Sequence, residues 1–205
     1  MQKSLDWIWE ILVCPECGNS LFPGENSHKI VCTNSLCGYS SNRSGRVFIL
    51  LPFELDSFEL AEHEFRKRLM KEQSEEIKSL PLKNQELLSL LNLLTGYPFS
   101  SQFSFFRDIF TKRNFLKGRG LEIGGATGHI SGFIKLFFPK SENITSYIAP
   151  INIDLAYKLS ESLNIDIDYF VLANAEKLPF RSDSFDFLFC SALLHHVGNL
   201  DLALQ

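Results

Sequence analysis

Apolar and polar positions divide the chain into three parts. Residues 1–52 contain short apolar stretches separated by turn residues, and "NSLFPGENSHKIVC" is typical of a strand, a turn and a second strand. Residues 53–117 have helical periodicity, with opposite charges four residues apart in "SFELAEHEFRKRLMKEQSEEIKSL". In residues 118–205, short apolar runs alternate with an amphipathic helical pattern, which predicts an α/β fold. We expect its strands at about residues 119–123, 144–148, 168–172 and 185–190.

Two more helices are predicted in the middle part. Pro81 ends the charged helix, and "NQELLSLLNLLTG" then has an apolar helical pattern with Asn84 as a candidate N-cap and Gly96 as its end. A third helix is predicted over "SSQFSFFRDIFTKRNFL". The pattern leaves two interpretations open, because these helices could cover a binding pocket or connect the two flanking parts.

The charge balance excludes one class of partner. The 205 residues have a formal net charge of −4 at pH 7, whereas broad, non-specific binding to nucleic acid requires a basic surface. The chain contains no run of 18 apolar residues, and its N-terminus "MQKSLDWIWEILVCPECG" lacks the pattern of a cleavable signal. We therefore expect a soluble, cytoplasmic protein that does not bind membranes.

Four of the five cysteines are clustered near the N-terminus. Cys14 and Cys17 lie in "CPECG", and Cys32 and Cys37 lie in "CTNSLCGY". In a reducing compartment such a cluster indicates a metal site before it indicates disulfides. A C-x-x-C turn places two thiolates on one side of a tight knuckle, and two knuckles form a tetrahedral site suited to Zn²⁺. Because four cysteines fill the coordination shell, the predicted zinc site is structural.

The segments around these cysteines resemble a known kind of domain. "LVCPECGNSLF", "CTNSLCGY" and "GRVFILLP" together resemble the zinc ribbons that precede the catalytic domain in some rRNA guanine methyltransferases. They also resemble the small zinc-ribbon partner protein of several methyltransferases. The resemblance covers roughly residues 11–52. It implies a zinc-ribbon domain at residues 1–52, followed by a helical linker or lid at residues 53–117.

A glycine-rich loop follows the first predicted strand of the last part, in "RGLEIGGATGHISGFIKLFF". A dinucleotide fingerprint G-x-G-x-x-G is absent, because the third glycine position counted from Gly124 is His129. The P-loop pattern is absent as well. The spacing acid-x-G-x-[G/A]-x-G fits instead, with Glu122, Gly124, Ala126 and Gly128. This loop resembles motif I of the class I S-adenosylmethionine-dependent methyltransferases.

The sequence after the loop resembles the same family. "NAEKLPF" stands where family members usually have Asp-Ala-Glu before Leu-Pro-Phe, and "SFDFLFCSALLHHV" matches the next strand with its Leu-His-His ending. The resemblance covers about residues 119–204. It implies a methyltransferase type 11-like domain at residues 118–205, with a partial Rossmann-like sheet of about four parallel strands.

The resemblance also implies which residues bind the cofactor. The cofactor-binding positions carried over from the family are Glu122, Gly124, Gly125, Ala126, Gly128, Asn174, Ala175 and Cys190. The glycine loop would line the methionine end of S-adenosylmethionine, and the acid would help to hold that end, often through water. Asn174 and Ala175 would lie at the adenine, where an amide oxygen can accept a hydrogen bond from the amino group as the usual Asp does.

Candidates for the methyl-transfer site follow the fourth predicted strand. Cys190 and Ser191 would face this site, although Cys190 also fits a small buried apolar residue. His195 and His196 are the candidate general bases. They equally fit a structural or pocket-lining role, because the His-His pair belongs to the family outline whatever the substrate.

Two features depart from the family pattern. The second strand should end in an acid that pairs with the ribose hydroxyl groups, but that position falls near Ile148, and only Asn152 or Asp154 follow closely. The family sheet has seven strands in the order 3-2-1-4-5-7-6, and four can be placed before Gln205. Three explanations remain open for the missing strands. The chain is truncated, a partner or a second copy in a homodimer covers the open edge, or N-terminal segments complete the sheet.

We therefore expect an enzyme that transfers a methyl group from S-adenosylmethionine to an RNA base or a small molecule, with Zn²⁺ as a structural metal. The alternative is a degenerate or truncated methyltransferase-like module that acts in protein–protein interaction. The missing acid near Ile148, the Asn at position 174 and the short sheet favour that alternative.

Overall fold

The computed structural model describes residues 7–57, 59–65, 68, 104–105, 108–109, 112, 117–125, 128–150, 153, 156–157, 160–161 and 164–205. The N-terminal elements are α1 (Trp7–Ile11), β1 (Leu21–Pro23), β2 (Lys29–Cys32), β3 (Ser40–Ser44) and β4 (Val47–Ile49). The C-terminal elements are β5 (Arg119–Ile123), α2 (His129–Phe137), β6 (Glu142–Tyr147), β7 (Tyr169–Leu172), β8 (Phe187–Cys190), a 3-10 turn (Leu194–His196) and α3 (Leu200–Ala203). Residues 57, 59–65 and 68 are helical, and they are called the linker helix below.

The strands of the described residues form one mixed sheet in the order β1-β2-β3-β4-β7-β6-β5-β8. Strands β4, β7, β6, β5 and β8 run parallel to one another, and β1 to β4 pair in antiparallel order. The predicted α/β fold is confirmed. The order β7-β6-β5-β8 is the order 3-2-1-4 that the resemblance implied, and β1 and β2 form the predicted hairpin between the cysteine pairs.

The sheet has one more parallel strand than the sequence indicated. Strand β4 lies beside β7, where the backbone N–H of Leu50 donates to the carbonyl of Leu172 at 2.8 Å. The reason is the apolar run that follows the second knuckle, because Phe48 is fully buried and its ring lies edge-on to the rings of Trp9 and Tyr169. N-terminal strands therefore do extend the sheet, but they extend it at β7.

The opposite edge of the sheet is β8 among the described residues. Leu188 on this strand is 60% exposed, which agrees with the expected apolar edge. The N-terminal strands leave this edge uncovered, since they pair on the far side of β7.

The core lies on both faces of the sheet. Helix α1 packs on one face, with Trp7 edge-on to Tyr169 at a ring separation of 5.2 Å. Helix α2 packs against Phe187 of β8 through its buried side chains Ile130, Phe133 and Ile134. The four residues of β7 are all buried, as expected for a parallel strand covered on both faces.

The predicted middle helices are only partly described. Residues 104–105, 108–109 and 112 are helical, in agreement with the third predicted helix. The apolar helix predicted over "NQELLSLLNLLTG" lies outside the described residues. The linker helix belongs to the charged helix predicted from residue 57 onward.

Candidate functional site

The four N-terminal cysteines converge on one point. The sulfur atoms of Cys14 and Cys37 are 3.7 Å apart, those of Cys17 and Cys32 are 3.5 Å apart, and all four lie within 4.8 Å of one another. Tetrahedral Zn–S bonds of about 2.3 Å require sulfur–sulfur separations of about 3.8 Å. All four residues are free thiols, so the donor set and its spacing fit Zn²⁺.

Backbone groups of both knuckles point at the sulfur atoms. The N–H of Glu16 donates to Cys14 Sγ at 3.4 Å, and the N–H of Asn34 donates to Cys32 Sγ at 3.4 Å. Such bonds favour the thiolate form that a metal ion binds. Each knuckle is closed by a glycine in the left-handed region, with φ of +72° at Gly18 and +68° at Gly38.

The first knuckle is bonded to the loop that follows β7. The N–H of Val13 donates to the carbonyl of Pro179 at 3.0 Å, and Leu12 forms a β-bridge with Phe180. Glu16 accepts a hydrogen bond from the N–H of Phe53 and lies 3.8 Å from Lys177 Nζ. The predicted metal site is therefore held in place partly by contacts with the segment "NAEKLPF".

The glycine loop leaves the carboxyl end of β5 and leads into α2. The N–H groups of Gly124 and Gly125 both donate to the carbonyl of Ser146, each at 3.1 Å. Gly124 and Gly128 both have φ of +69°, a conformation that favours glycine. A Cβ on Gly124 would lie 2.7 Å from Leu193 Cδ1, so a larger residue would fill this part of the loop. Ala126, a predicted cofactor contact, lies outside the described residues.

Glu122 lies beneath this loop. Its side chain is 2% exposed, and its Oε2 accepts a hydrogen bond from the N–H of Ser131 at 2.9 Å. A Cβ on Gly125 would lie 2.9 Å from Glu122 Cδ, so the loop backbone passes directly over the carboxyl group. The acid thus shapes the loop from inside the protein.

Two buried oxygen atoms under the loop have no hydrogen-bond partner among the described residues. They are Oε1 of Glu122 and the hydroxyl of Tyr147. Burial raises the pKa of Glu122 to about 7, although hydrogen bonds from Ser131 oppose the shift. Burial, followed by the nearby Glu122 carboxylate, raises the pKa of Tyr147 well above its ordinary value. These two oxygen atoms could therefore form hydrogen bonds with a bound ligand or a water molecule.

The predicted adenine residues follow β7. Asn174 is 5% exposed, and its Oδ1 accepts a hydrogen bond from the N–H of Glu176 at 2.9 Å. Its Nδ2 donates to Oε1 of Glu59, a residue of the linker helix. Ala175 is half-buried. Both the oxygen and the nitrogen of the Asn174 amide are thus hydrogen-bonded. The bond with Glu176 is close in sequence, whereas the bond with Glu59 is not.

Glu59 also helps to cap the start of the linker helix. Its N–H donates to Asp56 Oδ1 and its Oε2 accepts from the N–H of Asp56, each at 2.8 Å. This reciprocal pair is a capping box. Sequence reasoning missed Glu59 as a site residue; the Asp-x-x-Glu spacing in "DSFE" could have located the helix start, but nothing local indicates the bond to Asn174.

The linker helix makes a second contact with the predicted site. His196 Nδ1 lies 3.5 Å from Oε1 of Glu62, and both side chains are largely shielded from solvent. His195 is exposed, and the two imidazole rings have centroids 4.0 Å apart. Among the described residues, it is thus His196 rather than His195 that lies against a carboxylate able to orient it.

The remaining predicted positions lie at strand ends. Cys190 and Ser191 are exposed at the carboxyl end of β8, so the interpretation of Cys190 as a buried apolar residue was wrong. The reason is that β8 is an edge strand among the described residues. Ile148 is half-buried directly after β6, while Asn152 and Asp154 lie outside the described residues.

Comparison with known proteins finds a similarity in the C-terminal part of the chain. Residues 121–205 match the family model described as "Methyltransferase domain". The expected likeness is thus confirmed for this segment, which contains the glycine loop, Asn174 and the His-His pair. No curated protein matches the chain. None of the described helices has the length and apolar content needed to cross a membrane.

Several solved structures are similar to part of the chain. They include the YcgJ protein from Bacillus subtilis, with 24% identity and a TM-score of 0.40, covering 48% of this chain and 42% of that one. A SAM dependent methyltransferase from Aquifex aeolicus has 16% identity and a TM-score of 0.41, covering 48% and 54%. PKMT2 from Rickettsia typhi in complex with AdoHcy has 20% identity and a TM-score of 0.39, covering 44% and 18%. The chain spans less than two thirds of the length of each.

Proposed function

We propose that this protein is a methyltransferase that transfers a methyl group from S-adenosylmethionine to an RNA base or a small molecule. The observation that carries the proposal is the glycine loop, which leaves the carboxyl end of a parallel strand directly over the buried Glu122. Ligands of open α/β sheets bind at the carboxyl ends of the strands. The loop also lies in the segment that matches the methyltransferase model.

The residues at the carboxyl ends of these strands fit the cofactor in two ways. The loop backbone at Gly124 leaves a cradle that a Cβ would fill against Leu193. Glu122 Oε1 is a buried acceptor without a partner among the described residues, and a bound ligand or a water molecule beside it would supply one. Gly124, Gly125 and Gly128 would hold the methionine end, and Asn174 would hold the adenine.

S-adenosylmethionine supplies an activated methyl group when it is bound, so the protein has little covalent chemistry to perform. Its residues position the reactants and exclude water. His196 stands beside Glu62, which can orient the imidazole. We propose that His196 takes the proton of an acceptor nitrogen or oxygen, with Glu62 as its positioning residue.

We further propose that Cys14, Cys17, Cys32 and Cys37 bind Zn²⁺ as a structural ion in a zinc ribbon at residues 1–52. The sulfur spacing and the N–H groups directed at two of the sulfur atoms support this. Because the first knuckle is hydrogen-bonded at Pro179, the ion would also stabilise the loop that carries Asn174. We place the protein in the cytoplasm, where thiols stay reduced.

One observation favours a competing function. The exposed Leu188 on the edge strand β8 offers an apolar surface that a partner protein or a second copy could cover. The chain would then be a degenerate methyltransferase-like module that acts in protein–protein interaction. Such a module need not bind S-adenosylmethionine, whereas the enzyme must.

Calorimetric titration of the zinc-loaded chain with S-adenosylmethionine separates these functions, with NAD as the control ligand. We expect binding in the micromolar range and none of NAD. Gly124→Arg should abolish binding, because its side chain would occupy the cradle beside Leu193. Leu193→Trp would narrow the cradle from the facing side if Gly124→Arg does not fold. No binding by a folded wild-type chain would contradict the proposed enzyme.

A further inference from the structure

A carboxyl group from outside the methyltransferase match is buried at the proposed cofactor site. Glu59 of the linker helix is 7% exposed, and its Oε1 accepts a hydrogen bond from Asn174 Nδ2. Burying a carboxylate costs free energy unless it is hydrogen-bonded. Capping of the linker helix uses its other oxygen, Oε2. The capping role therefore does not account for the bond to Asn174.

The position of this carboxyl group follows from the strand register. The N–H of Ala173 donates to the carbonyl of Tyr147 at 2.7 Å, so Ile148 and Asn174 are the next residues beyond this bond on two neighbouring strands. Neighbouring strands are about 4.8 Å apart. Glu59, bonded to Asn174, therefore lies at the same end of the sheet as Ile148, whose side chain offers no hydrogen-bond acceptor.

Glu59 has acceptor capacity left for a ligand. An ionised carboxylate has about four lone-pair sites. Asn174 Nδ2 and the N–H of Asp56 occupy two of them among the described residues. The ribose of an adenosine ligand carries two adjacent hydroxyl groups, and a carboxylate accepts strong, charge-assisted hydrogen bonds from such donors.

We propose that Glu59 is a nucleoside-binding residue, which holds the side chain of Asn174 and accepts hydrogen bonds from the ribose hydroxyl groups of bound S-adenosylmethionine. This inference rests on the proposed function. It adds the linker helix to the cofactor site and accounts for the amide at position 174. An Asp there would set two carboxylates against each other, whereas the Asn amide donates to Glu59.

The test is calorimetric titration of the zinc-loaded chain with S-adenosylhomocysteine and with its 2′,3′-dideoxy analogue, which lacks the ribose hydroxyl groups. Wild type should bind the analogue roughly tenfold or more weakly. Glu59→Gln should bind S-adenosylhomocysteine about tenfold more weakly than wild type and should distinguish the two ligands much less. The single carbonyl oxygen of Gln can accept from the N–H of Asp56 and so preserve the capping box, while the bond from Asn174 is lost; circular dichroism should show an unchanged fold.

Two further variants sharpen the result. Glu64→Gln changes an exposed acid of the same helix and should leave both affinities unchanged. Ile148→Asp in the Glu59→Gln background returns an acid to this edge and should restore the preference for the ribose hydroxyl groups. Glu59→Gln with wild-type discrimination, or a wild type that binds both ligands equally, would overturn the role of Glu59 alone. A folded wild type that binds neither ligand would overturn the proposed function as well.

Discussion

The backbone N–H of Ser131 donates to Glu122 Oε2 at 2.9 Å and thereby joins the first turn of α2 to the end of β5 across the glycine loop. The carboxylate also lies close to the positive end of the α2 macrodipole, which favours its charged form. Complete burial opposes this effect and prevails, because the pKa of Glu122 rises to about 7. The glycine loop therefore packs over a carboxyl group whose ionisation near neutral pH lowers the free energy of unfolding.

We first predict that Glu122 makes stability depend on pH. An unfolded Glu titrates near pH 4.3. Because the folded pKa is higher, the contribution of this group to the free energy of unfolding is complete below about pH 4.3 and is lost as pH rises through about 7. Relative to wild type, Glu122→Gln should gain on the order of 2 kcal/mol between about pH 5 and pH 8. Urea denaturation at several pH values measures this difference.

The matched control for this measurement is Glu161→Gln, which changes an exposed acid in the same part of the chain. Its difference from wild type should stay nearly constant with pH. A constant difference for Glu122→Gln as well would show that burial does not raise the pKa of Glu122. The Glu122→Gln variant should also bind S-adenosylmethionine more weakly than wild type, because the loop loses its charged support.

Removal of the metal should destabilise the fold. Cys14→Ser removes one of four sulfur ligands, and the zinc content should fall from about one ion per chain to near zero. The free energy of unfolding should fall by several kcal/mol, because structural zinc sites contribute folding free energy directly. Metal analysis and thermal denaturation with and without a chelator measure both effects. Cys190→Ser, at an exposed thiol outside the cluster, should change neither; equal zinc loss in both variants would sink the proposed site.

The pairing of β4 with β7 predicts that the two ends of the chain unfold together. Phe48→Ala deletes a fully buried ring between Trp9 and Tyr169 and should cost about 3–5 kcal/mol. Fluorescence of the N-terminal tryptophans and far-ultraviolet circular dichroism should report one shared transition. Phe22→Ala, at a ring that is 43% exposed, should cost much less. Two separate transitions in the wild-type protein would show that the ribbon folds independently of the sheet.

Local sequence patterns were sufficient to predict the elements that depend on residues close together in the sequence. The knuckles depend on Cys and Gly at fixed spacing, and the glycine loop depends on small residues between a strand and a helix, so both were predicted from the sequence. The strand order β7-β6-β5-β8 followed from the family resemblance and is observed.

Contacts between distant parts of the chain could not be predicted in this way. The bond between Glu59 and Asn174 joins residues 115 positions apart, and neither helical periodicity nor a motif encodes it. The pairing of β4 with β7 is of the same kind, because "VFI" is typical of a ribbon strand and nothing in it indicates that it pairs with residues 170–172. The exposure of Cys190 depends on the absence of a neighbouring strand beyond β8 in the described residues.

The Glu59–Asn174 pair makes a last prediction, which concerns stability without any ligand. Asn174→Asp replaces the amide that donates to Glu59 with a second carboxylate, and both positions are largely buried. Like charges at this distance repel, and Glu59 loses a donor, so the variant should lose on the order of 2 kcal/mol at neutral pH. The loss should shrink at acidic pH, where one carboxyl group can keep a proton and donate it.

Exchanging the carboxyl group of Glu59 with the amide of Asn174 tests whether the loss of stability comes from this pair or from any substitution at position 174. In the double variant Glu59→Gln with Asn174→Asp, the amide and the carboxylate trade places, and the new Gln amide can donate to the new carboxylate at position 174. Most of the lost free energy of unfolding should return, with a coupling of roughly 1–2 kcal/mol in the double-mutant cycle. Additive losses would mean that the two side chains do not interact in solution, and the linker helix would then be held at this edge by other contacts.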